Sequence, residues 1–150
     1  MILYRIVKCH YADLSGTGAR LYGGRWNSEG RSMVYLASSR SLATLEALAH
    51  LSPTNIPEGF CMMIIDAPDD FAEVAVESLP ENWHEFPEPI GLKRLGNDFL
   101  AANKNLLLKV PSAIVSEEFN YLLNPMHPAA SSVKILSTKP FNFDSRLVAR

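Results

Sequence analysis

The sequence predicts a mixed α/β (α+β) fold in one domain that spans residues 1–150. Three observations support this prediction. Short apolar stretches typical of strands outnumber the helical segments. The two kinds do not alternate as in a doubly wound sheet, and the sequence contains no internal repeat. With 47% hydrophobic and 20% charged residues, the chain also has the composition of a soluble globular domain.

The first part of the chain is predicted to contain two strands and one helix around a long loop. Residues 2–7 (ILYRIV) and 33–37 (MVYLA) have the short apolar pattern of strands. Residues 10–30 between them are rich in glycine and serine, and a loop of that length in a compact domain is usually functional. The segment 38–51 predicts a helix, because a serine precedes a run rich in leucine and alanine.

The remaining two thirds of the chain are predicted to hold four strands and one helix. Residues 59–66 and 72–77 predict strands joined by the turn APDD. A stretch with prolines and a tryptophan then leads to a predicted helix at 92–102. The apolar run 106–110 (LLLKV) predicts a buried strand that stops at a proline, and SVKILS at 132–137 predicts the last strand.

Charge and hydropathy exclude several classes of protein. The net charge is −2, and residues 51–100 carry ten acids against two basic residues, which is typical of a solvated face. Without a basic stripe, the chain is not predicted to bind nucleic acid directly, whereas six Lys/Arg among residues 1–50 suit a small anionic ligand. The apolar run 60–65 is far shorter than the roughly 20 residues of a membrane span. The N-terminus has a strand pattern, not that of a signal peptide, so a cytoplasmic location is expected.

Several familiar catalytic motifs are missing. Cys9 and Cys61 offer neither a disulfide framework nor a metal-binding CxxC spacing. The four histidines show no HExxH spacing, and the sequence has no GK[ST] phosphate loop and no GxSxG elbow. We therefore expect no catalytic metal and no bound cofactor.

Four polar residues stand in places where apolar or turn residues are usual. Glu46 lies within or beside an apolar helical stripe formed with Leu42, Leu45 and Ala49, so it is either a functional carboxylate or one that reaches solvent at the border. The other three are Tyr35, Ser112 and Asn120. A core tyrosine, a turn serine and a capping asparagine are the structural alternatives to a ligand contact at these positions.

The segment LYGGRWN at 21–27 predicts a sharp bend, since two adjacent glycines let the chain turn or approach another group closely. The bend would present Arg25 and Trp26. A guanidinium can bind an anionic group through two parallel hydrogen bonds.

These pieces together resemble the RES family, the toxin half of bacterial toxin–antitoxin systems. The matching segments are YR (4–5), SGTGARLYGGRWNSEGRSMVYLA (15–37), LATLEALAH (42–50), VPSAIVSEEFNYLLNPMHP (110–128) and PFNFDSRL (140–147). The resemblance implies that Arg25, Glu46 and Ser112 are catalytic. It also implies that the substrate is bound by Arg5, Arg25, Trp26, Tyr35 and Asn120.

The resemblance further implies a fold like that of ADP-ribosyltransferases and diphtheria-type toxins, with NAD+ as substrate and not as cofactor. Members of the family consume NAD+ by hydrolysis or phosphorolysis, or transfer ADP-ribose to a protein. The chain has no ExE pair of the arginine-directed transferases, which favours a small acceptor. The implied partner is a helix-turn-helix antitoxin of the Xre type, with a homodimer as an expected arrangement in that complex. A nucleotide- or partner-binding module without turnover is the alternative.

Each implied role has a chemical reason. Arg25 would grip the pyrophosphate, and the face of Tyr35 would attract the cationic nicotinamide ring. Cleavage of the nicotinamide–ribose bond develops an oxocarbenium-like centre, which the carboxylate of Glu46 would stabilise. Ser112 and Asn120 would orient Glu46 or the nicotinamide end of the substrate.

Overall fold

The computed structural model describes residues 1–51 and 58–148, and this part of the chain forms one seven-stranded sheet with three α-helices. The strands are β1 Ile2–Lys8, β2 Val34–Ala37, β3 Phe60–Asp66, β4 Phe71–Glu73, β5 Leu107–Pro111, β6 Phe119–Leu123 and β7 Lys134–Phe141. The helices are α1 Thr17–Tyr22, α2 Arg40–Ala49 and α3 Ile90–Ala102. The predicted mixed α/β class is confirmed.

The sheet is mainly antiparallel and strongly curled. Its order is β4-β5-β6-β2-β1-β3-β7, and only β4 and β5 among the described strands pair in parallel. In a flat sheet, β3 and β4 would lie about 24 Å apart, five steps of about 4.8 Å. The short connection from Asp66 to Phe71 reaches only about 17 Å. The sheet therefore curls until its two ends approach each other.

Curling gives the sheet an inner and an outer face, each with its own apolar cluster. The inner face carries Leu3, Val34, Leu36, Met63, Ile65, Leu107 and Leu123. The outer face carries a cluster around Trp26 and Leu92 and a smaller one in which α2 packs on β1 and β2. Side chains alternate between the faces along each strand, so Tyr35 lies on the outer face between the inner-face residues Val34 and Leu36.

Most predicted elements are present with small changes at their ends. β1, β2, β3 and β5 match the predicted strands at 2–7, 33–37, 59–66 and 106–110. α2 begins after Ser39, whose side chain accepts a hydrogen bond of 3.0 Å from the backbone N–H of residue 42, as the predicted serine cap requires. α3 begins two residues before its predicted start.

Other elements differ from the prediction. The long loop at 10–30 contains the helix α1, which ends where Gly23 adopts a φ of 70°. β4 covers only Phe71–Glu73. It pairs with β5 and forms no hairpin with β3, so it lies at the opposite end of the sheet from β7. β6 was not predicted, since its sequence FNYLL lacks strict alternation. β7 begins two residues after the predicted start at 132 and continues past 137 to Phe141.

The two cysteines form a disulfide, which the sequence did not predict. Cys61 lies in β3, and Cys9 follows directly after β1, the strand that pairs with β3. The backbone N–H of Cys9 continues this pairing by donating to the carbonyl of Gly59 at 2.8 Å. Strand pairing thus brings the two Cα atoms to 5.0 Å, within the range of a disulfide.

No helix within residues 1–51 and 58–148 is both long and apolar enough to cross a membrane.

Candidate active site

Glu46 lies on the buried face of α2 and not at its border. Leu42 and Ala43, four and three residues earlier, are 0% and 4% exposed and pack on the outer face of the sheet. Leu45 and Ala49, which the sequence assigned to the apolar stripe, are exposed instead. The helix therefore places the carboxylate of Glu46 on the same side as its buried residues. An unpaired charge there would cost folding free energy.

One oxygen of that carboxylate accepts two hydrogen bonds from the sheet. Ser112 Oγ donates to Glu46 Oε1 at 2.9 Å, and Asn120 Nδ2 donates to the same oxygen at 2.7 Å. The other oxygen, Oε2, receives no hydrogen bond from the described residues. The structure thus brings three predicted site residues together and fixes the carboxylate through one oxygen only.

Ser112 is held as a donor by the turn that follows β5. Its Oγ accepts hydrogen bonds of 3.1 Å from the backbone N–H groups of Ile114 and Val115, so the hydroxyl proton is directed to Glu46. The side chain is buried, with 2% exposure. The hydroxyl has one proton and donates it to the glutamate, so in this geometry Ser112 supports the carboxylate through a hydrogen bond.

Asn120 reaches Glu46 from the middle of the sheet. It lies on β6 between Ala37 of β2 and Val110 of β5. Its amide orientation follows from the bond to Glu46, because the reverse orientation would set an amide oxygen against a carboxylate oxygen. This leaves Asn120 Oδ1 buried and without a hydrogen-bond partner among the described residues.

Arg25 stands in the predicted bend, and its guanidinium is oriented by a distant segment. The backbone N–H of Gly24 donates to the carbonyl of Asn27 at 3.0 Å, which closes a tight turn around Arg25. Arg25 Nη1 donates to the carbonyls of Trp83 and Glu85 at 2.9 and 3.1 Å. Both protons of Nη1 are thereby used, whereas Nε and Nη2 have no partner within the described chain.

One face of α3 holds this turn from the other side. Lys93 Nζ donates to the carbonyl of Gly24. Asn97 exchanges hydrogen bonds of 3.1 and 2.8 Å with the backbone and side chain of Ser28. Gly96 lies so close to the backbone of the same turn that a Cβ atom would overlap it. These α3 residues are three and four positions apart and so share a helix face.

Glu88 adds a carboxylate beside these cations. It forms a salt bridge of 3.2 Å with Lys93. Although desolvation works in the opposite direction, hydrogen bonds from the backbone and Lys93, with the positive charges of Lys93 and Arg25, hold the pKa of Glu88 below its usual value.

Tyr35 uses its hydroxyl inside the protein. Tyr35 Oη donates to Asn27 Oδ1 at 2.6 Å and accepts from the backbone N–H of Trp26 at 3.0 Å. Gly24 leaves the necessary space, since a Cβ atom there would lie 2.5 Å from that hydroxyl. Burial raises the pKa of Tyr35 well above its ordinary value.

The Arg25 turn and the Glu46 cluster lie on the same face of the sheet. Tyr35, which contacts the turn, and Ala37, which pairs with Asn120, are two residues apart on β2. Their rows are therefore separated by about 7 Å along the strand. Both groups accordingly border one region of the outer face.

Two predicted binding residues do not present their side chains to this region. Arg5 lies on β1 between Leu3 and Val7, which face the inner cluster, and its Nη1 donates to the carbonyls of Tyr11 and Asp13 at 3.3 and 2.7 Å. Its geometry is that of a brace for the loop after β1. Trp26 is 3% exposed and packs in the outer core cluster, so its ring favours a packing role over the predicted ligand contact.

Asn27 and Lys93 also belong to this arrangement, although neither was predicted as a site residue. Asn27 is fully buried, and its Nδ2 donates to the carbonyls of Ala19, Ser28 and Arg31 at 2.9, 3.2 and 3.1 Å. Its place in the GRWN segment could have indicated this role. A polar side chain beside a tryptophan must form several hydrogen bonds if it is buried. Nothing local marks Lys93, because the carbonyl that it binds in the Arg25 turn belongs to Gly24, 69 residues earlier in the chain.

Comparisons with known proteins find one matching family model, similar relatives and a solved structure of similar fold. The model of the RES domain matches residues 2–144. A protein of Pseudomonas putida named Toxin Res is 44% identical over 149 residues, which cover 98% of this chain and 99% of that protein. The Prs ADP-ribosylating toxin of Sphingobium sp. is 39% identical over 142 residues, covering 92% and 88%. The crystal structure of the M. tuberculosis MbcT–MbcA toxin–antitoxin complex superposes with a TM-score of 0.76 at 18% identity, covering 94% of this chain and 84% of that one.

Proposed function

This chain belongs to the RES domain family, and on that premise we propose that it is the toxin of a bacterial toxin–antitoxin system and consumes NAD+. The reaction breaks the bond between nicotinamide and ribose. Growth arrest follows from the loss of NAD+.

The observation that carries this proposal is the hydrogen bonding of the Glu46 carboxylate. Its Oε1 is fixed by Ser112 and Asn120, and its Oε2 is unpaired within the described chain. A carboxylate anchored in this way needs no reorganisation to face a positive charge, and such preorganised groups are the strongest electrostatic contributors to catalysis. As nicotinamide leaves, the ribose carbon becomes cationic, and Oε2 stabilises it directly or through a ribose hydroxyl.

Arg25 supports the same proposal, because it can bind the pyrophosphate end of the substrate. The edge formed by Nε and Nη2 has no partner within the described chain, and this pair can bind a phosphate with two parallel hydrogen bonds. A single ribose separates the scissile bond of NAD+ from the pyrophosphate. One substrate can therefore reach Glu46 and Arg25 together on the outer face of the sheet.

The acceptor of the ADP-ribose group is the second part of the proposal. Water gives free ADP-ribose, and inorganic phosphate gives its 1″-phosphate, with nicotinamide released in both reactions. The lack of an ExE pair favours these small acceptors. Transfer to a protein is the competing candidate, supported by a relative named for ADP-ribosylation.

The test is to incubate purified protein with NAD+, with and without phosphate, and to identify the products by chromatography and mass spectrometry. Nicotinamide release is expected in at least one condition, and intact NAD+ in both conditions would contradict the proposal. ADP-ribose attached to an added cell extract protein would favour transfer. Tight binding of NAD+ without turnover would identify a nucleotide-binding module.

The proposed partner is an antitoxin of the Xre helix-turn-helix type. It would cover the outer face between Arg25 and Glu46 and place a carboxylate against the open edge of the guanidinium, mimicking a phosphate. Arg25→Ala should then weaken the complex as well as NAD+ binding, measured by calorimetry with the cognate antitoxin. A complex that still turns over NAD+ at the full rate would contradict this placement.

A further inference from the structure

We propose that Tyr35 serves this enzyme as a positioning residue for Arg25, through its hydroxyl and Asn27, and not as an aromatic surface for the nicotinamide ring. The inference deepens the proposed function, because it assigns the device that holds the phosphate-binding arginine in place. It also assigns a role to Asn27.

The ring of Tyr35 packs against the outer core cluster that contains Trp26 and Leu92. Its hydroxyl end points to the turn, because Oη and Cζ lie 2.5 and 2.9 Å from the position that a Cβ atom on Gly24 would occupy. The ring is therefore packed against the core, and its hydroxyl is used inside the protein.

The tyrosine hydroxyl forms two hydrogen bonds, with Trp26 N and Asn27 Oδ1. These are the backbone and side chain of the two residues that directly follow Arg25. Both proton positions are determined: Tyr35 accepts from a backbone N–H and so must donate to the amide oxygen. The phenol remains protonated throughout the physiological range, because its pKa lies above the ordinary value.

Asn27 connects the tyrosine hydroxyl to the rest of the turn. With Oδ1 bound to Tyr35, its Nδ2 faces the three carbonyls of Ala19, Ser28 and Arg31. The amide therefore joins α1, which precedes the turn that carries Arg25, to two residues that follow this turn. Removal of the tyrosine hydroxyl leaves a buried acceptor and a backbone donor unpaired at the base of that turn.

The decisive comparison is Tyr35→Phe, which keeps the ring and removes only the hydroxyl. Asn27 is not replaced, because any change there removes several bonds at once and risks misfolding. If Tyr35 positions Arg25, the KM for NAD+ should rise about 10-fold, with a smaller change in kcat. If the ring holds nicotinamide, Tyr35→Phe should act like the wild-type protein. That result would overturn the inference.

A double-mutant cycle separates positioning from general destabilisation. In an Arg25→Ala background, Tyr35→Phe should add no further rise in KM, because the group that it positions is gone. Additive effects of the two changes would contradict the inference. Tyr121→Phe is the matched control, since Tyr121 lies in the neighbouring strand, half-buried and on the opposite face. It should leave KM unchanged.

A second measurement does not depend on turnover. The Nε–H signal of Arg25 is followed by ¹⁵N NMR in the wild-type, Tyr35→Phe and Tyr121→Phe proteins. We expect one sharp signal that broadens or shifts in Tyr35→Phe alone. An unchanged signal in Tyr35→Phe would overturn the positioning inference, whether or not the protein consumes NAD+. Absence of NAD+ consumption by the wild-type protein would overturn the proposed function and leave this measurement to decide the inference.

Discussion

Replacing Glu46 with glutamine removes the negative charge of the side chain and keeps its size and position. The amide oxygen of glutamine can accept the same two hydrogen bonds, from Ser112 Oγ and Asn120 Nδ2, which now lie at 2.9 and 2.7 Å from Oε1. Its NH₂ group then occupies the position of the unpaired oxygen. Hydrogen bonds to a charged acceptor exceed neutral ones by about 1 kcal/mol each, so the variant should lose no more than about 2 kcal/mol of folding free energy.

The effect on turnover should be much larger than the effect on binding. Loss of one preorganised electrostatic group reduces turnover by about 100-fold or more, or about 2.7 kcal/mol, because the charge on the ribose develops only in the transition state. The KM for NAD+ should change far less, whereas Arg25→Ala should mainly raise KM.

The assay measures nicotinamide release over a range of NAD+ concentrations, with melting curves to confirm folding. Glu77→Gln, a change to an exposed glutamate on the same protein, is the matched control and should behave like the wild-type protein. A folded Glu46→Gln protein that releases nicotinamide at nearly the wild-type rate would refute the reasoning and leave Glu46 with a structural role.

The remaining predictions concern stability. Gly96→Ala should cost roughly 3 kcal/mol in denaturant unfolding, because the new Cβ overlaps the backbone of the loop before β2, whereas Gly91→Ala in the same helix has open space and should gain up to about 1 kcal/mol. An equal effect of both changes would contradict the close approach. Reduction of the Cys9–Cys61 bond, which closes a separation of 52 residues, should cost about 4 kcal/mol by loop entropy, and an unchanged melting curve with reductant would contradict it. Tyr35 has a raised pKa, so the stability that its neutral phenol contributes is complete below about pH 10 and is lost as the pH rises further. The unfolding free energy of Tyr35→Phe should consequently fall less steeply with alkaline pH than that of the wild-type protein.

Local pattern was sufficient where one segment decides its own structure. The serine cap and the leucine-rich run predicted α2, and apolar runs predicted β1, β2, β3 and β5, because capping and hydrophobic burial depend on adjacent residues. The bend at GRWN was predicted from its glycines, and the turn around Arg25 is present.

The predictions failed where a distant partner decides the structure. β6 has no clear alternation of its own and becomes a strand by pairing with β2 and β5. β4 follows β3 in the chain but pairs with β5 at the other end of the sheet. The sheet curls as a result, and this curl decides which side chains face each other. Pairing of β1 with β3 likewise created the disulfide.

The candidate site shows the same division. The sequence alone determined which residue types were out of place, because Glu46 in an apolar stripe and Arg25 in a glycine bend are visible without a fold. Only the tertiary structure decided which groups these residues contact. Glu46 meets Ser112 and Asn120 across 66 and 74 residues of chain, Tyr35 turns its hydroxyl inward, and Arg5 lies on the opposite face of the sheet. Hydrogen bonds and sheet faces are set by pairings between distant segments, and a local pattern does not contain that information.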